Sequence, residues 1–321
     1  MDIVIRCIPQ WKHANLTFPV APLRRLHLCN FPSLERLVIA SSGRVPASAV
    51  TEFIILGDAP RLSQADIVAL PQLTFGHHLE RLTSLHFNVF DNATHAITNL
   101  RMCPNLVDLS CGFGFRGSDA PLPPVELNSL RSLIVTTETM LPCVTVPLLE
   151  RLHISRLSRN IDAAIALRSL VSRSSCEIQS LSVDPRQLNN EQFGLFLRAA
   201  NFTRHLKLIF SVAVGFSQQI QPLEDADVLP RLTHFEICDV AGRGVQYQSL
   251  LDLLSRRRQH TALEKFELFL GTQRLGPSIL PPAVMDEFRA LGAAGMRLRI
   301  TAREHQVGGS VDVTHLDTFQ G

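Results

Sequence analysis

Hydrophobic residues recur along this chain at one spacing, Leu-x-x-Leu-x-Leu with conservative replacements. Copies begin at Leu23-Leu26-Leu28, Leu34-Leu37-Ile39, Leu82-Leu85-Phe87, Leu106-Leu109-Cys111 and Leu130-Leu133-Val135. They continue at Leu149-Leu152-Ile154, Ile178-Leu181-Val183, Leu232-Phe235-Ile237 and Leu263-Phe266-Leu268. Weaker copies lie at Leu62-Ala65-Ile67, around His205-Leu206-Lys207-Leu208, and at Met296-Arg297-Leu298-Arg299-Ile300. From Leu34 onward successive starts are about 19 to 32 residues apart, close to the period of leucine-rich repeats. The step from Leu23 to Leu34 is too short for a full unit. The last three residues of each copy alternate in-out-in, which predicts a short strand. No unit buries its inward pair alone, so neighbours must stack, each buried leucine contributing roughly 1.5–3 kcal/mol. The pattern predicts an α/β leucine-rich-repeat solenoid, with parallel strands on a concave face and helices and loops on a convex one.

Between the strands the period changes. Residues 160–173 place Ile161, Ile165, Leu167, Leu170 and Val171 on one helical side. Residues 189–200 read as a helix with Phe193, Phe196 and Leu197 inward and Asn189 or Asn190 as its cap. Residues 248–258 carry Leu250, Leu251, Leu253 and Leu254 and end in three arginines, where cations suit a helix C-terminus. Residues 282–291 and about 92–102 predict two more helices. The expected organisation is an irregular N-terminal edge or partial first repeat over 1–22, a repeat domain over 23–303 and a flexible tail over 304–321.

Composition narrows the class. The 321 residues are 45% hydrophobic and 19% charged, with 48 leucines, so the chain folds. A net charge of +2 gives no reason to expect a nucleic-acid or membrane partner, and the apolar opening is too short for a signal-peptide core. Seven scattered cysteines without a Cys-x-x-Cys pair point to reduced, buried thiols. An intracellular protein, cytoplasmic or nuclear, is the expectation. Only Lys12, Lys207 and Lys265 are lysines against 28 arginines, a bias that fits either a GC-rich genome or a surface poor in ubiquitin acceptors.

The outward strand positions are the candidate site, because extended concave faces bind protein segments. They contain a basic patch of Arg25, His27 and Arg36. Late in the chain they contain a mixed cluster of His205, Lys207, His234, Glu236, Lys265 and Glu267. Enzyme chemistry finds less support. His27, His86 and His153 share one motif position, but intervening strands at about 4.7–4.9 Å each keep them from sharing an ion. His77-His78 has no ligand partner at suitable spacing, and Gly112 to Gly117 is not a phosphate or dinucleotide loop. There is no Gly-x-Ser-x-Gly elbow and no Walker lysine. No catalytic residue, cofactor or metal is expected.

Several segments carry a family resemblance. They are Trp11-Lys12-His13-Ala14-Asn15-Leu16, Cys103-Pro104-Asn105-Leu106-Val107-Asp108-Leu109 and Val146-Pro147-Leu148-Leu149-Glu150-Arg151-Leu152-His153-Ile154. Ser172 to Cys176, Leu229-Pro230-Arg231-Leu232-Thr233 and Ser249 to Arg258 add to them. Over most of 11–300 the chain resembles the F-box and leucine-rich-repeat proteins of mushroom-forming fungi. The resemblance implies the substrate-recognition part of a cullin-type ubiquitin ligase, a protein-binding scaffold that makes and breaks no bond itself. Family members resembling this chain begin with an F-box, whose Leu-Pro-x-Glu-like opening is absent here, so a Skp-type adaptor is expected as a partner only with an F-box upstream. The alternative is a truncated receptor that recruits no ligase, acting as a competitor or inactive paralogue; an enzyme with a site on the concave face is the least favoured reading.

Overall fold

The computed structural model describes residues 7–19, 26–27, 29–41, 54–68, 73–77, 79–90, 93–113, 123–157, 163–210, 216–239, 246–272, 280–304 and 313–319. The protein is α/β and divides into two compact units. The first is Met1–Glu150 with Ser172–Cys176; the second is Arg151–Val171 with Glu177–Gly321.

In the first unit the strands are β1 (His13–Phe18), β2 (Arg36–Ser41), β3 (Ile54–Leu56), β4 (Gln64–Val68) and β5 (Leu73–Phe75). They continue as β6 (Ser84–Phe90), β7 (Asp108–Phe113), β8 (Val125–Glu126), β9 (Ser132–Val135) and β10 (Val144–Thr145). A parallel sheet runs β1-β2-β4-β6-β7-β9, while β3 pairs with β5 and β8 with β10. Helix α1 (Ala93–Arg101) follows β6, and a 3-10 helix, Glu138–Cys143, follows β9.

The second unit contains β11 (Arg151–Ile154), β12 (Ser180–Val183), β13 (His205–Phe210), β14 (His234–Asp239), β15 (Lys265–Thr272), β16 (Arg297–Glu304) and β17 (Val313–Phe319). These lie side by side in chain order, parallel as far as β16. The connections hold α2 (Ala163–Ser174), α3 (Asn190–Ala199), α4 (Phe216–Ile220), α5 (Tyr247–His260) and α6 (Pro282–Ala293). The last residues of α2 group with the first unit.

The repeated triplets are the strands and the turns before them. Leu34, Leu37 and Ile39, then Leu82, Leu85 and Phe87, and likewise Leu130, Leu133 and Val135, are each no more than 1% exposed. A second regularity precedes six of the triplets: a buried apolar residue three positions ahead of the first leucine, often followed by proline. Phe31, Ala59, Leu79, Leu127, Val146 and Leu229 hold this place, and the carbonyl of each accepts from the leucine N–H three residues on, at 3.0–3.2 Å. Proline suits the second position of such a turn because its φ is already set. Thr203 stands where the weak copy before Leu206 lacks its leucine. It is fully buried, and its hydroxyl donates to the Ile178 carbonyl at 3.1 Å.

Helices α1 to α3, α5 and α6 fall where the period predicts them. Asn189 caps α3: its side chain accepts from the Gln192 N–H while Gln192 reaches back to the Asn189 N–H. Against α6, Phe266 of β15 stacks on Phe288 at 6.2 Å between ring centres, so this helix covers the apolar side of the strand.

At four places the structure adds to or departs from the expected pattern. Leu167 and Leu170 of α2 are inward as expected, but Ile165 is 63% exposed, its expected place being taken by Ala163 and Ala166, the better fit to a 3.6 period; Ile161 lies outside the described residues. The Leu23 copy is not a strand between β1 and β2, which bond directly to one another. Leu26 is buried in a turn, and Leu23 and Leu28 lie outside the described residues. Residues 13–18, in the segment expected as an irregular edge or partial first repeat, are strand β1, parallel to β2. Residues 313–319, expected within the tail, form β17, antiparallel to β16.

Among the described residues, Gly57 is sterically fixed. A Cβ on Gly57 would lie 2.6 Å from the Cys29 carbonyl oxygen, which accepts the Gly57 N–H at 3.1 Å. Gly57→Ala is therefore expected to lose about 1–3 kcal/mol in urea unfolding through forced backbone movement. Leu206→Ala, which empties a fully buried site, is expected to lose about 2–5 kcal/mol by the same measurement.

Candidate functional site

Parallel pairing with a common register turns outward residues of successive strands into straight rows. In the second unit one row is His153, Ser182, Lys207, Glu236, Glu267 and Arg299. A second, one pleat earlier, is Arg151, Ser180, His205, His234, Lys265 and Arg297. All six residues of the expected late cluster are neighbours here. They are outward because Leu206 and Leu208, Phe235 and Ile237, and Phe266 and Leu268 take the alternate positions inward.

Two carboxylates organise the cluster. Glu236 places one oxygen 2.5 Å from Lys207 Nζ and the other 3.4 Å from His205 Nε2. Glu267 lies 3.1 Å from His234 Nε2, 3.1 Å from Lys265 Nζ and 3.9 Å from an Arg299 guanidinium nitrogen. The rings of His205 and His234 stack at 4.0 Å, tilted by only 3°. Both carboxylate side chains are 10% exposed. Burial alone would raise the Glu236 carboxyl, but His205 and Lys207 at its oxygens outweigh that and hold it down to about 2. Burial also works against the Lys207 charge, and Glu236 reverses the balance, keeping the ammonium above its ordinary range. His234 is shifted down by burial, by His205 and by Lys265, with Glu267 acting in the opposite sense.

Sequence reasoning did not assign several members of this face. Arg299 completes the Glu267 group and also lies 5.8 Å from the Phe269 ring centre, with Lys207 at 5.9 Å. The weak copy at 296–300 carried the signal, since its outward residues are the arginines. Phe269 and Cys238 continue the alternation one step beyond the triplet. The Cys238 thiol, 3.4 Å from Glu236, is pushed by burial up to about 11 and is no ready nucleophile. His153 sits between two hydroxyls, Ser182 at 2.7 Å and Ser155 at 3.0 Å, and is shifted down by burial and by Lys207.

Two residues of the expected basic patch, Arg36 and His27, are described in the first unit. Arg36 is on β2, bonded to Gln64 at 2.8 Å; His27 is in an exposed turn; Arg25 lies outside the described residues. His86 and Asp66, neighbours in register, approach to 3.6 Å with both side chains substantially exposed. All seven cysteines are free. Among the described residues no group of three His, Cys, Asp or Glu is placed to hold a metal, and no helix is long and apolar enough to cross a membrane.

No protein-family model and no curated protein matches the chain.

The low position of Glu236 fixes the sign of an acid effect. Its ionised form is favoured by folding, so its contribution is complete above the ordinary 4.5 and disappears as pH falls through about 2. The stability difference between wild type and Glu236→Gln, followed by thermal unfolding, is expected to be constant near neutrality and to narrow steadily from about pH 5 to about pH 2.

Proposed function

We propose that the chain is a leucine-rich-repeat solenoid acting as a non-catalytic protein-binding scaffold. Its partner surface is the outward face of strands β12 to β16. The observation carrying this reading is the cluster around Glu236 and Glu267: ionic and polar side chains set in register on a rigid sheet. Each is held by a neighbour, so little side-chain freedom remains to be lost when a partner docks. Aromatic and arginine groups, here Phe269 and Arg299, are the types most often found at energetic centres of interfaces. By its resemblance to fungal F-box proteins, the scaffold orients a target protein for ubiquitin transfer by other subunits.

The experiment is affinity purification with mass spectrometry, comparing wild type with Lys207→Glu/Glu236→Lys/Lys265→Glu. The first two changes exchange the ends of one ion pair, so the strand pairing is preserved while the pattern presented to a partner is inverted. Circular dichroism should show the variant folded, and the proteins retained by wild type should be lost. A control variant, Glu191→Arg on the exposed side of α3, should keep them. An unchanged set of captured proteins in the triple variant would remove this face from consideration. Recovery of a Skp-type adaptor with the chain expressed from its own locus supports the ligase role; capture of partners without it leaves a scaffold alone.

A further inference from the structure

We propose that this face binds an acidic segment of a partner protein, seating its carboxylates on Lys207, Lys265 and Arg299 with uptake of a proton by His234, whose ring stacks on His205. The inference rests on the protein-binding reading and names the chemistry of the partner.

The cluster is layered by charge. Lys207, Lys265 and Arg299 have side chains 34%, 35% and 42% exposed, whereas Glu236 and Glu267 are each 10% exposed. A docking chain therefore meets ammonium and guanidinium groups first, with the protein's own carboxylates beneath them. Three permanent cations stand over two carboxylates, leaving an outward positive excess that favours an anion. Phe269, between Lys207 and Arg299, gives the segment an apolar place to rest.

Besides Glu236 and Glu267, the imidazole pair has polar and charged neighbours on the flanking strands. On β12 the neighbours are the hydroxyls of Ser180, 3.5 Å from His205 Nδ1, and Ser182. On β11 they are Arg151 and the half-buried His153. On β14 the Cys238 thiol, beside Glu236, is protonated at neutral pH. On β16, beyond Lys265 of β15, Arg297 pairs with Glu264 at 3.1 Å, and Arg299 reaches Glu267. Lys265 and the His205 ring stacked 4.0 Å away disfavour a proton on His234, while Glu267 at 3.1 Å favours one. A bound carboxylate offsets the neighbouring cations and makes that proton easier to hold. By linkage, affinity must rise as the solution becomes more acidic.

The test is fluorescence anisotropy on the full chain, using labelled peptides of about ten aspartates, about ten lysines, or a Gly-Ser sequence of equal length. The aspartate peptide should bind best and weaken with added salt, as screened charge contacts do. Its affinity should increase about threefold or more between about pH 7.5 and about pH 5.5, where aspartates remain ionised. Lys207→Gln/Lys265→Gln/Arg299→Gln should reduce it about tenfold or more. If that variant is not folded by circular dichroism, the single change Arg299→Gln, on the most exposed of the three, should still weaken binding. His205→Asn/His234→Asn should flatten the pH profile. Aspartate binding no tighter than Gly-Ser, or unaffected by loss of the cations, overturns the acidic-segment inference; a flat wild-type profile overturns proton uptake. If partner capture remains sensitive to the ion-pair exchange while the aspartate peptide fails, only the present inference falls. If both fail, the protein-binding reading falls with it.

Discussion

Strand register is the constraint on which everything else in this molecule depends. Side chains alternate with a period of two, so a slip of one residue would turn each leucine pair to water and each polar pair into the core. The register is pinned at the entrance to most of these strands by a repeated backbone device. One carbonyl accepts from two successive amides of the next strand's first residues: Lys12 from Glu35 and Arg36, Glu35 from Ser63 and Gln64, and Thr83 from Val107 and Asp108. The second unit repeats it with Gln179, Arg204 and Thr233 as acceptors. Hydroxyls of Ser63, Thr83 and Thr233 donate to the same carbonyls as their own amides, a third contact shared on an oxygen that already accepts two N–H groups. Apolar burial drives stacking, and this ladder selects the one stacking that keeps the leucines in.

Because the inward set is fixed in this way, outward residues are free to carry chemistry, and the two units use that freedom differently. On the first unit's sheet, Arg36 meets Gln64 and His86 meets Asp66 in well-solvated pairs, which contribute little. On the second, Glu236 and Glu267 are largely withdrawn from water. A carboxylate there is tolerable only with its cations in place, and removing one partner leaves a buried charge exposed to its full desolvation cost. The geometry of Lys207, His205, His234 and Lys265 is therefore enforced by the carboxylates beneath them. Rigidity of the face and the electrostatics of the face have one cause.

The same reasoning explains what was legible beforehand. Triplets such as Leu130-Leu133-Val135 could be read directly, because nothing but stacked strands uses that spacing so often. The late cluster followed at once, since parallel pairing in a common register carries motif position into spatial adjacency. The Leu23 copy deceived because spacing alone does not reveal that β1, without a leucine triplet of its own, already bonds to β2 through His13–Phe18. Ile165 deceived because alanines contribute little to a hydrophobic pattern yet pack closely enough to take the inner side of α2. The stacked imidazoles and the sunken carboxylates depend on side-chain rotamers, to which a one-dimensional pattern is blind.

The scarcity of lysine also acquires a physical reading. Two of the three lysines, Lys207 and Lys265, stand on the candidate face, where a compact ammonium meets a carboxylate oxygen. Arginines do a different task beneath the loops. Arg257, 3% exposed, donates to the carbonyls of Leu223, Asp225 and Val228 at 2.5, 2.9 and 2.7 Å. Arg173 reaches the Leu141 and Val144 carbonyls at 2.8 and 2.7 Å in the first unit. A planar fork satisfies several carbonyls spread across a loop, which one ammonium on a flexible stem does poorly. Burial lowers the Arg257 pKa to about 10, with Asp225 opposing it, yet even there the guanidinium stays charged at neutral pH. Arg257 and Arg173 thus hold loop backbone in place, while the lysines hold and present charge, and the residue type follows from the geometry of what each must bind.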